Sequence, residues 1–293
     1  MTKTRVCVRC IPASLGRGLH RVARALEQYA PDWVQIVQEP ADADVWFVHC
    51  IGHGSMIEVP QYKGDIALIM YNLRTTEDGG HPDYWMPIWK RARVVWGYYD
   101  IRQHLLDRGI PESDHPNIYH SALGVDGTVF QPSEPTRKRF LIGTSGFIAE
   151  TEGVKECHVV SRRLNKDMFH LGPNLGLAPG VIYMLGIPDE TVAEMWSQCS
   201  FVAGLRRAEG FELPAIEALA CESRPIMFDA PHYTHWFGEH AEYVPEVGHD
   251  DLVEALTEVM SKRVRVVTPA ERAEVLRKFN WQTIAEGFWE AMR

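Results

Sequence analysis

Apolar and polar residues alternate along positions 5–11, the mark of a half-buried strand. A loop carrying Gly16-Arg17-Gly18 follows, and positions 19–29 then place apolar side chains at helical spacing. Strand, glycine-bearing loop and helix form the opening unit of a doubly wound α/β domain. The unit recurs. Positions 45–48, 66–71 and 94–97 read as strands, 99–108 as a helix and 118–120 as a short strand. Positions 131–139 (Gln-Pro-Ser-Glu-Pro-Thr-Arg-Lys-Arg) have linker composition, with two prolines and a run of charge. The rhythm then restarts, with strands at 140–143, 181–185, 201–205 and 225–228 and helices at 189–199 and 213–221. Helices at 252–260, 269–278 and 281–292 close the chain. This order predicts parallel sheets in two Rossmann-like lobes joined near Pro132.

Composition narrows the class. At ~100–200 residues per domain, 293 residues suit two domains. A hydrophobic share of 45% excludes wholesale disorder. No apolar run approaches the ~20 residues that span a bilayer. The opening run from Met1 to Cys10 is too broken by Lys3, Arg5 and Arg9 for a signal-peptide core. A soluble, cytoplasmic protein is therefore expected. Six cysteines are too few for a disulfide scaffold. Cys7 and Cys10 form a lone CxxC in a strand-like setting, which reads as packing. The pairs His49/His53 and His232/His235 lack a third ligand in any known pattern, so no metal is expected.

The net charge of −9 is uneven. Residues 1–132 carry 13 basic and 15 acidic side chains, residues 133–293 carry 17 and 24. Positions 1–26 hold Lys3, Arg5, Arg9, Arg17, Arg21 and Arg24 and no acid. Such a patch suits an anionic ligand, or is a solvated helix face.

The most informative stretch runs Arg206-Arg207-Ala208-Glu209-Gly210-Phe211-Glu212-Leu213-Pro214-Ala215-Ile216-Glu217. Two glutamates eight apart bracket a glycine-bearing loop and the first turn of a helix. Loop amides and a helix N-terminus suit phosphate or sugar oxygens. Carboxylates accept paired hydrogen bonds from vicinal hydroxyls, as sugars and ribose offer.

This segment resembles the E-x7-E signature of retaining GT-B glycosyltransferases, in the glycogen-synthase-like and mannosyltransferase-like group (family 4 type). Neighbouring stretches agree in order. Gly124-Val125-Asp126-Gly127-Thr128-Val129-Phe130-Gln131-Pro132 resembles the family's GVD-x3-F-x-P approach to its interdomain linker. Ile187-Pro188-Asp189-Glu190, Met195-Trp196 and Cys199-Ser200-Phe201-Val202 resemble the helix and strand before the signature, and Phe279-Asn280-Trp281 resembles the closing segment. The match covers residues from Gly124 onward well and the first lobe by pattern alone.

The resemblance implies an α/β fold of GT-B type, two Rossmann-like domains facing each other across a cleft. It assigns 1–132 to an acceptor-side domain, 133–278 to a donor domain and 279–293 to a helix returning to the first. It implies a hexosyltransferase moving a sugar, with retention, from a nucleoside-diphosphate sugar to a hydroxyl acceptor. Glu217 would bind the ribose and Glu209 the sugar hydroxyls. Gly210, Phe211 and the following Glu212 and Leu213 would approach sugar and diphosphate, and Gly16, Arg17 and Gly18 would face the diphosphate from the first lobe. The leaving diphosphate would itself take the acceptor proton, leaving positioning and charge stabilisation as the main work. No cofactor or metal would be required beyond the co-substrate.

Three departures stand out. The family's G-R-x4-K-G reads here as Gly146-Phe147-Ile148-Ala149-Glu150-Thr151-Glu152-Gly153, with Phe147 and Glu152 where cations are usual. Arg206 and Arg207 are the nearest replacements in sequence, Arg17 and Arg162 further ones. The glycine usual before Leu-Pro is Glu212. The His-Asp pair usual after a first-lobe strand is Tyr71-Asn72, while His49 ends the preceding strand, as a catalytic group or as a hydrogen-bonded histidine.

The acceptor is the open half. The first lobe interleaves Lys90, Arg91, Arg93, Arg102 and Arg108 with Trp85, Trp89, Trp96, Tyr98 and Tyr99. Tyr71, Asn72, Tyr98 and Tyr99 are the acceptor-side candidates. Such a surface suits a sugar, lipid-linked or small-molecule acceptor. It also suits DNA with an extruded 5-hydroxymethylpyrimidine base, as in phage-type DNA glycosyltransferases. Overall acidity weighs against nucleic acid. A non-catalytic sugar-nucleotide-binding protein of the same fold is the third reading.

Overall fold

Strands that follow one another through helices must run parallel, and all of them do. The computed structural model describes residues 2–9, 17–50, 62–70, 91–107, 109–133, 138–147, 150–177, 179–207 and 210–293. The chain divides into two compact units. The described residues of 1–123, 208–211 and 281–293 form the first, and those of 124–207 and 212–280 the second.

The first unit holds β1 (Thr4–Cys7), α1 (Arg17–Gln28), β2 (Val34–Ile36), β3 (Val45–Cys50), β4 (Asp65–Met70), β5 (Ala92–Gly97), α2 (Ile101–Asp107) and β6 (Asn117–His120). Its sheet has the order β2-β1-β3-β4-β5-β6, every pair parallel. Ile66, Ala67, Leu68 and Ile69 on β4 are all fully buried, because a central parallel strand is covered on both faces.

The last helix of the chain, numbered α9 below (Trp281–Met292), completes this unit. It buries Ile284, Ala285, Phe288, Trp289 and Met292 on one face. Trp289 Nε1 donates to the Leu26 carbonyl at 3.2 Å, and Tyr119 Oη donates to the Ile284 carbonyl at 2.7 Å. The Phe288 ring lies 5.1 Å from Phe47 and 5.7 Å from Trp96. Gly287 sits inside this helix, at a usual cost of ~1 kcal/mol relative to alanine. A Cβ there would stand 2.7 Å from Tyr119 Oη, so the close approach of helix and β6 requires glycine.

The second unit holds β7 (Phe140–Ser145), α3 (Val154–Arg163), β8 (Met168–Leu171), β9 (Val181–Met184), α4 (Asp189–Ser197), β10 (Cys199–Gly204), α5 (Leu213–Ala220), β11 (Arg224–Phe228), α6 (Pro231–Phe237), β12 (Glu242–Val244), α7 (His249–Ser261) and α8 (Pro269–Lys278). Its parallel sheet has the order β12-β11-β10-β7-β8-β9. Counted from its own first strand this is 3-2-1-4-5-6, the order of dinucleotide-binding sheets. Arg224 on β11 is wholly buried. Its guanidinium meets Glu271 of α8 at 2.5 and 2.9 Å and the His240 carbonyl at 2.7 Å. It also reaches the Arg265 and Val266 carbonyls at 3.1 and 3.3 Å. Burial alone would raise the Glu271 carboxyl, but hydrogen bonds from Arg224 and His240 and the charge of Arg224 outweigh it and hold the group at about 2.

The predicted strand at 5–11 ends at Cys7, and positions 10–16 lie outside the described residues. Five elements, β2, α3, β8, α6 and β12, have no counterpart in the sequence reading. The strands among them are three or four residues long, and α3 buries Glu156 and Ser161 on what reads as a polar stretch. Among the described residues no helix is long and apolar enough to cross a membrane.

Candidate functional site

In a doubly wound sheet, ligands sit beyond the carboxyl ends of the strands where the strand order reverses. In the second unit that switch point lies between β7 and β10. Ser145 ends β7 and Gly204 ends β10, so the segments after them, Gly146 onward and Leu205-Arg206-Arg207, emerge side by side. The helix that follows β10, α5, begins here at Leu213.

Arg206 organises the edge. Its Nη2 donates to the Ser145 carbonyl at 3.1 Å and to Ser145 Oγ at 2.9 Å. Its Nη1 meets Glu212 Oε2 at 2.7 Å, and its Nε meets Glu152 Oε1 at 3.3 Å. Glu212 is fully buried and precedes α5, yet its carboxylate turns to Arg206 and does not cap the helix. Tyr233 of α6 donates to the Arg206 carbonyl at 3.1 Å and lies 3.4 Å from Glu212 Oε1. Gly146 has φ 141°, and a Cβ there would fall 2.0 Å from Glu152 Oε2. The glycine thus lets a carboxylate lie directly against the backbone at the end of β7.

Glu217 sits within α5, only 3% exposed, and its Oε2 accepts a 3.0 Å bond from the Trp196 indole of α4. Fixing one oxygen fixes the plane of the carboxylate. Gly210 and Phe211 are buried, Leu213 is half-buried, and the Phe211 ring lies 5.5 Å from Tyr98 within the first unit. Glu209 lies outside the described residues.

The cation replacements separate. Arg207 leaves Arg206 and turns to the β11–β12 side, with Nη2 2.7 Å from the Val247 carbonyl, Nη1 3.7 Å from Glu246 and its guanidinium over the Phe228 ring. Arg162 lies in the last turn of α3 beside Gly180, away from the switch point. Phe147 is exposed. Beneath Gly146, fully buried His170 of β8 holds Thr144 Oγ1 at 2.8 Å through Nδ1. Its Nε2 is buried as well.

Burial, chiefly, pushes the His170 imidazole down to about 4, the Arg206 charge adding to it against the pull of the Gly146 carbonyl. The folded chain therefore refuses a proton that the unfolded chain accepts below its ordinary 6.5. Stability contributed by this group is complete above pH 6.5 and falls as pH drops toward 4. Thermal midpoints across that window should drop more steeply for the unaltered chain than for His170→Asn, which keeps a partner for Thr144. Equal slopes would exclude the histidine as the source.

The first unit has its own switch point, between β1 and β3. His49 lies there, 3% exposed, with Nε2 3.3 Å from the Val8 carbonyl. Burial pushes it down to about 4, His20 adding to the effect against the Val8 carbonyl, so the ring is neutral at physiological pH. Gly18 lies in the first turn of α1 and Arg17 opens that helix by its backbone. Gly16, Tyr71 and Asn72 lie outside the described residues, as do Trp85, Trp89 and Lys90. Trp96 and Tyr98 are 0% and 1% exposed, so they belong to the core and offer no stacking face, while Tyr99 is half-buried. The acid-free start of the chain is less basic in three dimensions: Arg5 pairs with Asp44 and Arg9 with Glu39, each at 2.7 Å.

Ser145 and Tyr233 were not legible as site residues from sequence; Arg206 and Glu152 were named there singly, and their pairing was not. Trp196 was, as part of an ordered motif, without its role. Among the described residues no group of three or more His, Cys, Asp or Glu is arranged to hold a metal ion.

No family model matches the chain. A curated relative, the MMP alpha-(1->4)-mannosyltransferase of Mycolicibacterium hassiacum, is 27% identical over 184 residues, covering 56% of this chain and 45% of that protein. The chain thus spans less than half the length of the curated relative that it matches. Sucrose-phosphate synthase from Thermosynechococcus elongatus superposes with a TM-score of 0.66 at 16% identity, over 85% of this chain and 72% of that one. A glycosyltransferase from Rickettsia africae gives 0.65 at 12% identity, over 100% and 98%. The pneumococcal O-GlcNAc transferase GtfA, solved with UDP and GlcNAc, gives 0.63 at 14% identity, over 85% and 56%. With two parallel sheets, flanking helices and these neighbours, the chain has the GT-B fold of glycosyltransferases.

Proposed function

We propose that the chain is a glycosyltransferase that moves a sugar, with retained configuration, from a nucleoside-diphosphate sugar to a hydroxyl acceptor. The observation that carries this reading is Glu217, a buried carboxylate fixed by Trp196 in the helix that starts at the second unit's switch point. A carboxylate held there suits two vicinal ribose hydroxyls. The amides that open α5 lie beside it for phosphate oxygens. Glu209, eight residues earlier, takes the sugar hydroxyls, and the departing diphosphate takes the acceptor proton. No protein base is then needed, and the residues position substrates and offset charge.

Arg206 between two carboxylates also favours a second reading, a sugar-nucleotide-binding protein without turnover. One experiment separates them. Incubation with a panel of nucleotide sugars, UDP-linked ones first in view of the ligand of GtfA, should raise the thermal midpoint and release sugar slowly by hydrolysis. A raised midpoint without hydrolysis or transfer supports the binding protein, and no response to any donor at saturation overturns both.

A further inference from the structure

The two acids on Arg206 are not equivalent. Glu212 is fully buried, close at 2.7 Å and held near Tyr233, so it is the inner, fixed partner of the arginine. Glu152 lies on the segment joining β7 to α3, its side chain 14% exposed, and reaches only Nε, at 3.3 Å. It is the longer and more exposed of the two contacts on Arg206. Its carboxylate lies against Gly146 at the end of β7, at the switch point where sheets of this strand order receive phosphates. A glycine that lets an anion touch the backbone is the feature that phosphate-binding turns use.

We propose that the Glu152 carboxylate is a resident anion on Arg206, displaced by the diphosphate of the donor, and that Glu152 thereby sets donor affinity. The inference rests on the nucleotide-sugar reading above. Arg206 is then the cation that replaces the usual basic pair, released from Glu152 as the diphosphate arrives and kept in place by Ser145 and Glu212. Glu152 weakens binding twice, by competing for Nε and by repelling the incoming charge. A site so built lets diphosphate product leave readily.

Calorimetric titration with UDP and with inorganic pyrophosphate tests this on the full chain and on Glu152→Gln, Arg206→Lys, Arg206→Gln and the double variant. Thermal midpoints verify that each is folded. Glu152→Gln should tighten both ligands on the order of tenfold, since it removes a like charge at the site. The gain should shrink with added salt and vanish in the double variant. Arg206→Gln should weaken both ligands, and Arg206→Lys should recover part of the loss. Turnover of a nucleotide sugar by the unaltered chain, with no tightening in a folded Glu152→Gln, overturns this proposal alone. Pyrophosphate tightened by Glu152→Gln, with no nucleoside diphosphate bound by any form, overturns the nucleotide-sugar reading instead. Binding of neither probe by any form overturns both.

Discussion

Glu217→Gln should lower affinity for a nucleoside diphosphate by about 100-fold or more while leaving the second unit folded. On the proposed reading, two charge-assisted hydrogen bonds to ribose, at ~1.5–3 kcal/mol each, become weaker neutral ones or are lost when the amide presents its NH2 group. The amide keeps the shape of the side chain and can still offer an oxygen to Trp196, whose indole donates to Glu217 Oε2 at 3.0 Å. Trp196→Phe should give a smaller loss in the same direction, because it frees the carboxylate plane without removing the charge. Titration with UDP, with the thermal midpoint as the folding control, reads both. An unchanged affinity in Glu217→Gln would place the ribose site elsewhere.

The largest stability loss is expected at Arg224. Replacing it with methionine leaves three backbone carbonyls and the Glu271 carboxylate without their shared donor inside the second unit. Breaking a buried ion pair in this way costs ~3–5 kcal/mol, a large part of the ~5–15 kcal/mol that holds a domain folded. Glu271 is the clue to why: Arg224 is a main reason that its carboxyl is held at about 2, so without the guanidinium burial pushes that carboxyl back up and its charge is left poorly compensated. The double change Arg224→Met with Glu271→Leu should recover much of the loss, because no uncompensated charge then remains. Urea unfolding measures each term, and a loss below ~1 kcal/mol for Arg224→Met would show that water replaces the guanidinium at little cost.

Much of the fold was legible because parallel strands buried on both faces leave dense apolar runs, as 66–69 and 201–204 do. The elements that escaped notice lack that signature. β8 carries His170, whose burial rests on Thr144 and the Gly146 carbonyl, both far from it in the chain, and no local pattern announces it. α3 buries a glutamate, so its helical stripe reads as polar. The site divides in the same way. Glu217 and its loop form a contiguous motif, and contiguity is what a sequence displays. The Arg206 cluster joins residues from four separate stretches, Ser145, Glu152, 206–212 and Tyr233. Only the strand order brings them together. For the same reason the basic start of the chain looked unopposed: Asp44 and Glu39, which meet Arg5 and Arg9, are more than two dozen positions away in the chain.

The docking of α9 has a consequence for synthesis. Trp289 and Phe288 supply core to a unit whose sheet lies within the first 120 residues, whereas the second unit is drawn wholly from 124–280. A ribosome therefore delivers everything the later-encoded unit needs before it delivers the last part of the earlier-encoded one. The half that is translated first is the half that matures last, and until Met292 emerges it waits with the rings of Phe47 and Trp96 uncovered by Phe288.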